Sequence, residues 1–78
     1  MESEVGGSVY NVIELVGSSS KSWEDAVKNA VDIASEALTN LRIAEVMELD
    51  AKLDEGMIVQ YRAKVRLSFK HEIEPETL

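Results

Sequence analysis

No cysteine occurs in these 78 residues, and His71 is the only histidine. The two absences exclude a disulfide framework and a Cys/His zinc centre. No run of about 18 apolar residues is present, so nothing reads as a membrane-spanning helix. Met1 is followed by acidic Glu2 and Glu4 rather than by a basic and then an apolar stretch, so no signal peptide is visible. The expected location is intracellular, in a compartment that the sequence leaves open. Basic residues are scarce as well. Eight Lys and Arg face fifteen Asp and Glu, for a formal net charge of −7. That balance disfavours nucleic acid and anionic lipid, both polyanions, and makes cations the natural counterpart. A lone domain of this length buries only about 60% of the surface its unfolded chain exposes. Without disulfides or zinc, oligomerisation is the remaining usual source of stability.

What is present reads as a βαββ pattern between two acidic ends. Residues 1–8 hold two Gly, two Ser and two Glu and read as a mobile arm; 72–78, with three Glu and Pro75, read as a mobile acidic tail. The domain is expected over 9–71. In the first strand, Val12 and Val16 lie on one face and Val9, Ile13 and Leu15 on the other, which predicts a strand buried from two directions and stopping at Gly17. The helix is predicted to start at Ser22, whose hydroxyl can cap the Asp25 amide, and to run to about Thr39. Glu24 and Asp25 oppose the positive end of its dipole. Ala26, Val27, Ala30, Val31, Ile33, Ala34, Ala37 and Leu38 recur at helical spacing and form an apolar face, and Asn40 is suited to close the helix in a left-handed conformation.

Two long strands are predicted over about 42–53 and 57–71, joined by a three-residue reversal at Asp54-Glu55-Gly56. The last strand alternates Gln60, Arg62, Lys64, Arg66, Ser68 and Lys70 with Tyr61, Ala63, Val65, Leu67 and Phe69. A three-residue reversal sets Glu48 across from Arg62, Asp50 across from Gln60, and Lys64 and Arg66 across from Val46 and Ala44. The helical crossover makes the first two strands run the same way, so an all-antiparallel sheet must place the third between them. The fold class is therefore α+β, a three-stranded antiparallel sheet packed on one helix. Strands this long exceed what one helix can cover. Arg62, Lys64 and Arg66 are accordingly expected to face carboxylates of another subunit.

The order strand, Val16-Gly17-Ser18-Ser19, Ser22-Trp23-Glu24-Asp25-Ala26, then a helix leading into Asn40-Leu41-Arg42, resembles the dodecins, small flavin-binding proteins that assemble as hollow dodecamers. The resemblance implies a homododecamer, which would multiply the charge of −7 twelvefold within one shell. It also implies a flavin site made by a Trp after the helix, stacking on the isoalloxazine ring, and a Gln after the Tyr of the third strand. In this chain Ile43 falls at the Trp position and Arg62, after Tyr61, at the Gln position. Ile has no π face and forfeits roughly 0.5–1.5 kcal/mol of stacking per contact. Arg62 puts a cation where a neutral amide belongs, with Glu48 as its expected partner. Flavin is therefore an unexpected cofactor here, and the chain resembles the plant calcium-binding branch that lacks the stacking Trp.

Glu45, Glu48, Asp50, Asp54 and Glu55 crowd the second strand and its turn, and such hard oxygen ligands suit Ca²⁺ or Mg²⁺. EF-hand spacing is absent. On a threefold axis one carboxylate becomes three, which repel unless a cation joins them. The resemblance implies ions on such axes and makes Glu48 the leading metal ligand, with Glu45 and Asp50 beside it. The resulting reading is a non-enzymatic homododecamer that binds divalent cations, calcium first. The alternative is a dodecin retaining weak riboflavin or FMN binding. Trp23, Tyr61 and Phe69 read as packing residues, and His71 as structural. An acid–base enzyme would need a second titratable partner such as His or Cys in the core, and none is available. A plain interaction module would act through the acidic ends.

Overall fold

The computed structural model describes residues 8–71. Strand β1 (Tyr10–Ser19), helix α1 (Trp23–Ala37), strand β2 (Leu41–Asp54) and strand β3 (Met57–Lys70) follow in chain order. The sheet order is β1-β3-β2 with both pairings antiparallel, as the crossover geometry requires. The expected arm and tail lie, apart from Ser8, outside the described residues. No helix among the described residues is long and apolar enough to cross a membrane.

The helix begins where its cap chemistry puts it. Ser22 is extended (φ −168°, ψ 165°), and its Oγ accepts the Asp25 N–H at 3.0 Å. Ser19 braces the same turn: its hydroxyl donates to Asp25 Oδ2 at 2.8 Å and accepts the Lys21 N–H at 2.8 Å. The Asp25 carboxylate is thereby held at the positive end of the helix. The far end is shorter than expected. Leu38 turns extended while its N–H still reaches the Ala34 carbonyl at 2.9 Å, so the helix stops at Ala37. Asn40 does adopt φ 64°, but two residues past the cap, where its carbonyl accepts the Lys70 N–H.

Gly17 does not end β1. The strand continues to Ser19, pairing Gly17 with Ala63 and Ser19 with Tyr61. Its role is steric, since a Cβ there would lie 2.1 Å from the Ala26 carbonyl oxygen and 3.0 Å from the Ala30 Cβ. Glycine against alanine lets helix and sheet approach closely. Beneath Ala26, Ala30 and Ala34 lie Ala63, Val65 and Leu67 of the central strand, all but inaccessible to solvent. These six side chains are the buried apolar core among the described residues.

The reversal is tighter than predicted. Asp54 pairs with Met57, leaving a two-residue loop, Glu55-Gly56, with φ 52° and 79°. Positive φ at both positions defines the turn type whose twist suits a hairpin. Irregularities at Leu41/Ile43, Val46/Glu48 and Lys52/Leu53 then shift the pairing along β2. The resulting partners are Glu45–Arg66, Glu48–Lys64, Asp50–Arg62 and Lys52–Gln60. The sequence-based register, which had neither the two-residue loop nor the bulges, is wrong at each of these positions.

The helix lies over β1 and β3 and barely reaches β2. Val46 and Leu49, on the helix-side face of β2, stay exposed, as do Val12 and Val16 on the opposite face of β1. Burial of β1 from two directions is thus not supplied within one subunit. Gly17→Ala should lower stability by about 1–3 kcal/mol, because the new Cβ meets backbone rather than a movable side-chain end. Gly56→Ala meets open space and should cost about 1 kcal/mol, from its positive φ alone. Urea midpoints for the two variants check the order.

Candidate functional site

The face of the sheet turned away from the helix carries the charge. Alternation along β3 puts Arg62, Lys64 and Arg66 in a row, and the register sets Glu14 of β1 on one flank and Glu45, Glu48 and Asp50 of β2 on the other. A cationic stripe between two acidic edges is the result.

The pairs within it are unequal. Arg62 donates to Asp50 through two bonds, Nε to Oδ1 at 2.8 Å and Nη2 to Oδ2 at 2.9 Å, a fork on a fork. The Arg62 hydrogen bond, opposed by partial desolvation and reinforced by the Arg62 charge, holds the Asp50 carboxyl below the ordinary carboxylate value. The same contact raises the guanidinium. Arg66 lies between two carboxylates, 3.1 Å from Glu14 and 3.6 Å from Glu45, and so ties β1 to β2 across the central strand. Lys64 is 4.0 Å from Glu14. Glu48, opposite Lys64 in register, has no side-chain partner among the described residues. The expected Glu48–Arg62 pair does not form, because the two-residue loop and the irregularity at Lys52/Leu53 carry Asp50 to the position facing Arg62.

Asp50 is also held from behind. Its carbonyl accepts the Trp23 Nε1–H at 2.8 Å, and Trp23 meets Tyr61 edge-on with ring centroids 4.9 Å apart. Trp23 therefore packs, as expected, and in addition anchors β2 to the helix start. That link across 27 positions has no local sequence signal. His71 closes the far end of the sheet, hydrogen-bonded to Asn11 at 3.0 Å and to the Val9 carbonyl at 2.8 Å.

Neither group of candidate residues makes a complete site within one subunit. Ile43 is 59% exposed and pairs with Ser68, six residues along β3 from Arg62, a separation of about 20 Å. One ring cannot touch both. Among the described residues, no three His, Cys, Asp or Glu side chains come together in a way that could hold a metal ion. Asp50 and Glu45 face guanidinium groups, and of the three only Glu48 has no partner among the described residues. Glu14, the acidic partner of Arg66 and Lys64, was missed as a site residue; its place on the polar side of β1 between Val12 and Val16 was the available signal.

These features define a small βαββ protein with an open ionic sheet face, an incompletely covered sheet and, among the described residues, no complete metal-ligand cluster. The sequence pattern of the family described as dodecin matches residues 9–72, and the chain belongs to the dodecin family. It is 41% identical, over 81% of its length and 89% of the relative's, to calcium dodecin of Mycobacterium tuberculosis. The crystal structure of that calcium-chelating immunodominant antigen, described with a novel calcium-binding site, superposes with a TM-score of 0.74 at 38% identity, covering 91% of this chain and 99% of the other. Dodecin from Streptomyces coelicolor superposes with a TM-score of 0.83 at 30% identity, covering 90% and 100%.

Titration of the Asp50 carboxyl by NMR should give a midpoint below the usual Asp value, and Arg62→Gln should move it upward. Because the folded-state value is depressed, the pair contributes stability above the unfolded-state pKa and loses it as pH falls through the folded-state value. The variant should show a weaker loss of stability over that acidic window.

Proposed function

We propose that this chain forms a hollow homododecamer that binds divalent cations, calcium foremost, catalyses no reaction, and has lost or weakened the flavin contacts of its family. The observation that carries the reading is Glu48, a carboxylate on the ionic face that has no partner among the described residues, which also hold no three-ligand cluster. Ca²⁺ takes six to eight oxygens. One Glu offers at most two, so binding requires Glu48 from several copies to converge, with Glu45 and Asp50 as neighbouring acids. The similarity to a relative named calcium dodecin supports the same ion. A formal charge of −7 per chain makes counter-ion uptake by an assembly favourable. Arg62, Lys64 and Arg66 would line the contacts between copies while keeping their partners within the subunit. A second reading, weak riboflavin or FMN binding, draws on the exposed apolar surface of Ile43.

Light scattering should report a particle of about twelve subunits, and a stable monomer or dimer at micromolar concentration would sink the architecture. With Ca²⁺ at a hundred times its dissociation constant, each independent site stabilises the assembly by about 2.7 kcal/mol, so the protein should melt higher with Ca²⁺ than with chelator. Glu48→Gln should remove most of that difference without unfolding the exposed strand, whereas Glu36→Gln on the helix should not. Acidification should erase the difference, since a protonated carboxyl is a poor metal ligand. Equal melting temperatures with Ca²⁺ and chelator, together with a flat calorimetric titration, refute calcium binding.

Ile43→Trp combined with Arg62→Gln should restore riboflavin binding, read as quenched flavin fluorescence, by more than either change alone. Submicromolar binding by the unmodified protein would instead favour the second reading.

A further inference from the structure

We infer that the tip of the β2–β3 hairpin of one copy docks head to tail into the apolar groove beside the helix start of the next; the inference rests on the assembled state proposed above and names a contact that builds it. The last pair between β1 and β3 is Ser19–Tyr61, and α1 starts at Trp23, whose ring sits on Tyr61. Residues 52–60 of β2 and β3 therefore run past both the helix and β1 as a two-stranded extension. Such a ribbon is marginal alone. It nevertheless exposes Leu53, Met57, Ile58 and Val59, with Met57 67% accessible. Paired Leu53 and Ile58 share the ionic side, while Met57 and Val59 share the helix side. A single exposed Leu is ordinary; four large apolar residues on both sides of an unsupported tip form a patch that calls for a cover.

The groove arises because the helix leans away from β2. It is an open apolar recess of about 490 Å³ floored by Trp23, Val27, Val46 and Leu49 and rimmed by Glu24 and Lys28. The tip's own charges match that rim. Lys52 is the cation for Glu24, and Asp54 and Glu55 are the anions for Lys28. Glu24, Lys52, Asp54 and Glu55 have no side-chain partners among the described residues. Among the described residues the Lys28 ammonium bonds Asp32, in an exposed pair that exchanges easily. A copy cannot fill its own groove. Leu49 pairs with Ala63, four residues along β3 from Val59, so groove and tip are about 13 Å apart on one stiff ladder. Because tip and groove are different surfaces, their contact is heterologous and propagates from copy to copy until a ring closes.

The absence of cysteine makes the contact directly testable. In the variant Leu49→Cys/Val59→Cys, the 13 Å separation forbids a disulfide within a chain. Mild oxidation should give a ladder of covalent oligomers on a non-reducing gel, ending at the ring size, while Val59→Cys alone should stay monomeric. If Val59→Cys alone forms dimers as readily as the double variant, tips meet tips and the inference is overturned. It is equally overturned if the double variant assembles by light scattering but gives no ladder. Wild-type protein that scatters as a monomer overturns the assembly itself, a distinct outcome. Met57→Asp keeps the test decisive should the cysteine variant fail to fold. Forcing a carboxylate into the groove should raise the concentration needed for assembly at least about tenfold, and unchanged assembly overturns the contact.

Discussion

The close approach of helix and sheet at Gly17 governs the rest of this molecule. With no side chain at Gly17 and only methyl groups at Ala26 and Ala30, the helix settles onto β1 and β3 at a distance that a larger residue would prevent. The same closeness limits what it can shield. A slender alanine face cannot extend over three strands, so the helix side of β2 and the whole hairpin tip remain uncovered. Six small and medium side chains make a modest core, and a domain of this size has little to spare. Close packing over one half of the sheet and unshielded apolar surface over the other are one design choice seen from two sides.

On the opposite face the controlling feature is register. The two-residue loop and the irregularities at Lys52/Leu53 and Val46/Glu48 set its acids along β3 so that Asp50, Glu48 and Glu45 stand opposite Arg62, Lys64 and Arg66. Individually these exposed pairs contribute little. Together with Glu14 they fix which carboxylates are already satisfied. The Arg62–Asp50 fork is the best formed, since two guanidinium nitrogens meet both carboxylate oxygens. The Trp23 bond to the Asp50 carbonyl fixes the same residue from the helix side, so backbone and side chain of Asp50 are restrained independently.

Most of the scaffold was legible because its signals are local or topological. The Ser22 cap, the alanine face, the central place of β3 and the alternation that buries Ala63, Val65 and Leu67 all follow from period, capping chemistry and strand direction. The pairings across the ionic face were not legible. They depend on a hairpin loop of two residues rather than three and on bulges that carry no signature in composition, and a shift of one or two positions reassigns every partner. Gly17 was read as a stop because glycine commonly punctuates strands; its actual task, admitting the Ala26 carbonyl, appears only when the helix lies on the sheet. The Trp23–Asp50 bond is invisible for the same reason.

Arg62 links the two halves of the functional reading. As a cation at an amide position it weakens any claim to a flavin ring, and by gripping Asp50 it also withdraws that carboxylate from competition for a metal. Arg66 acts likewise on Glu45. Among the described residues Glu48 is left as the acid on this face of β2 without a partner, not because its own surroundings are special but because its neighbours are neutralised. In the proposed assembly this matters for affinity. A cation gathered by several copies of Glu48 meets carboxylates whose mutual repulsion it relieves, whereas at Asp50 it would first have to displace a two-point guanidinium contact. In the proposed assembly, Arg62 would thus both stand at the former flavin-contact position and decide which carboxylate remains for an ion.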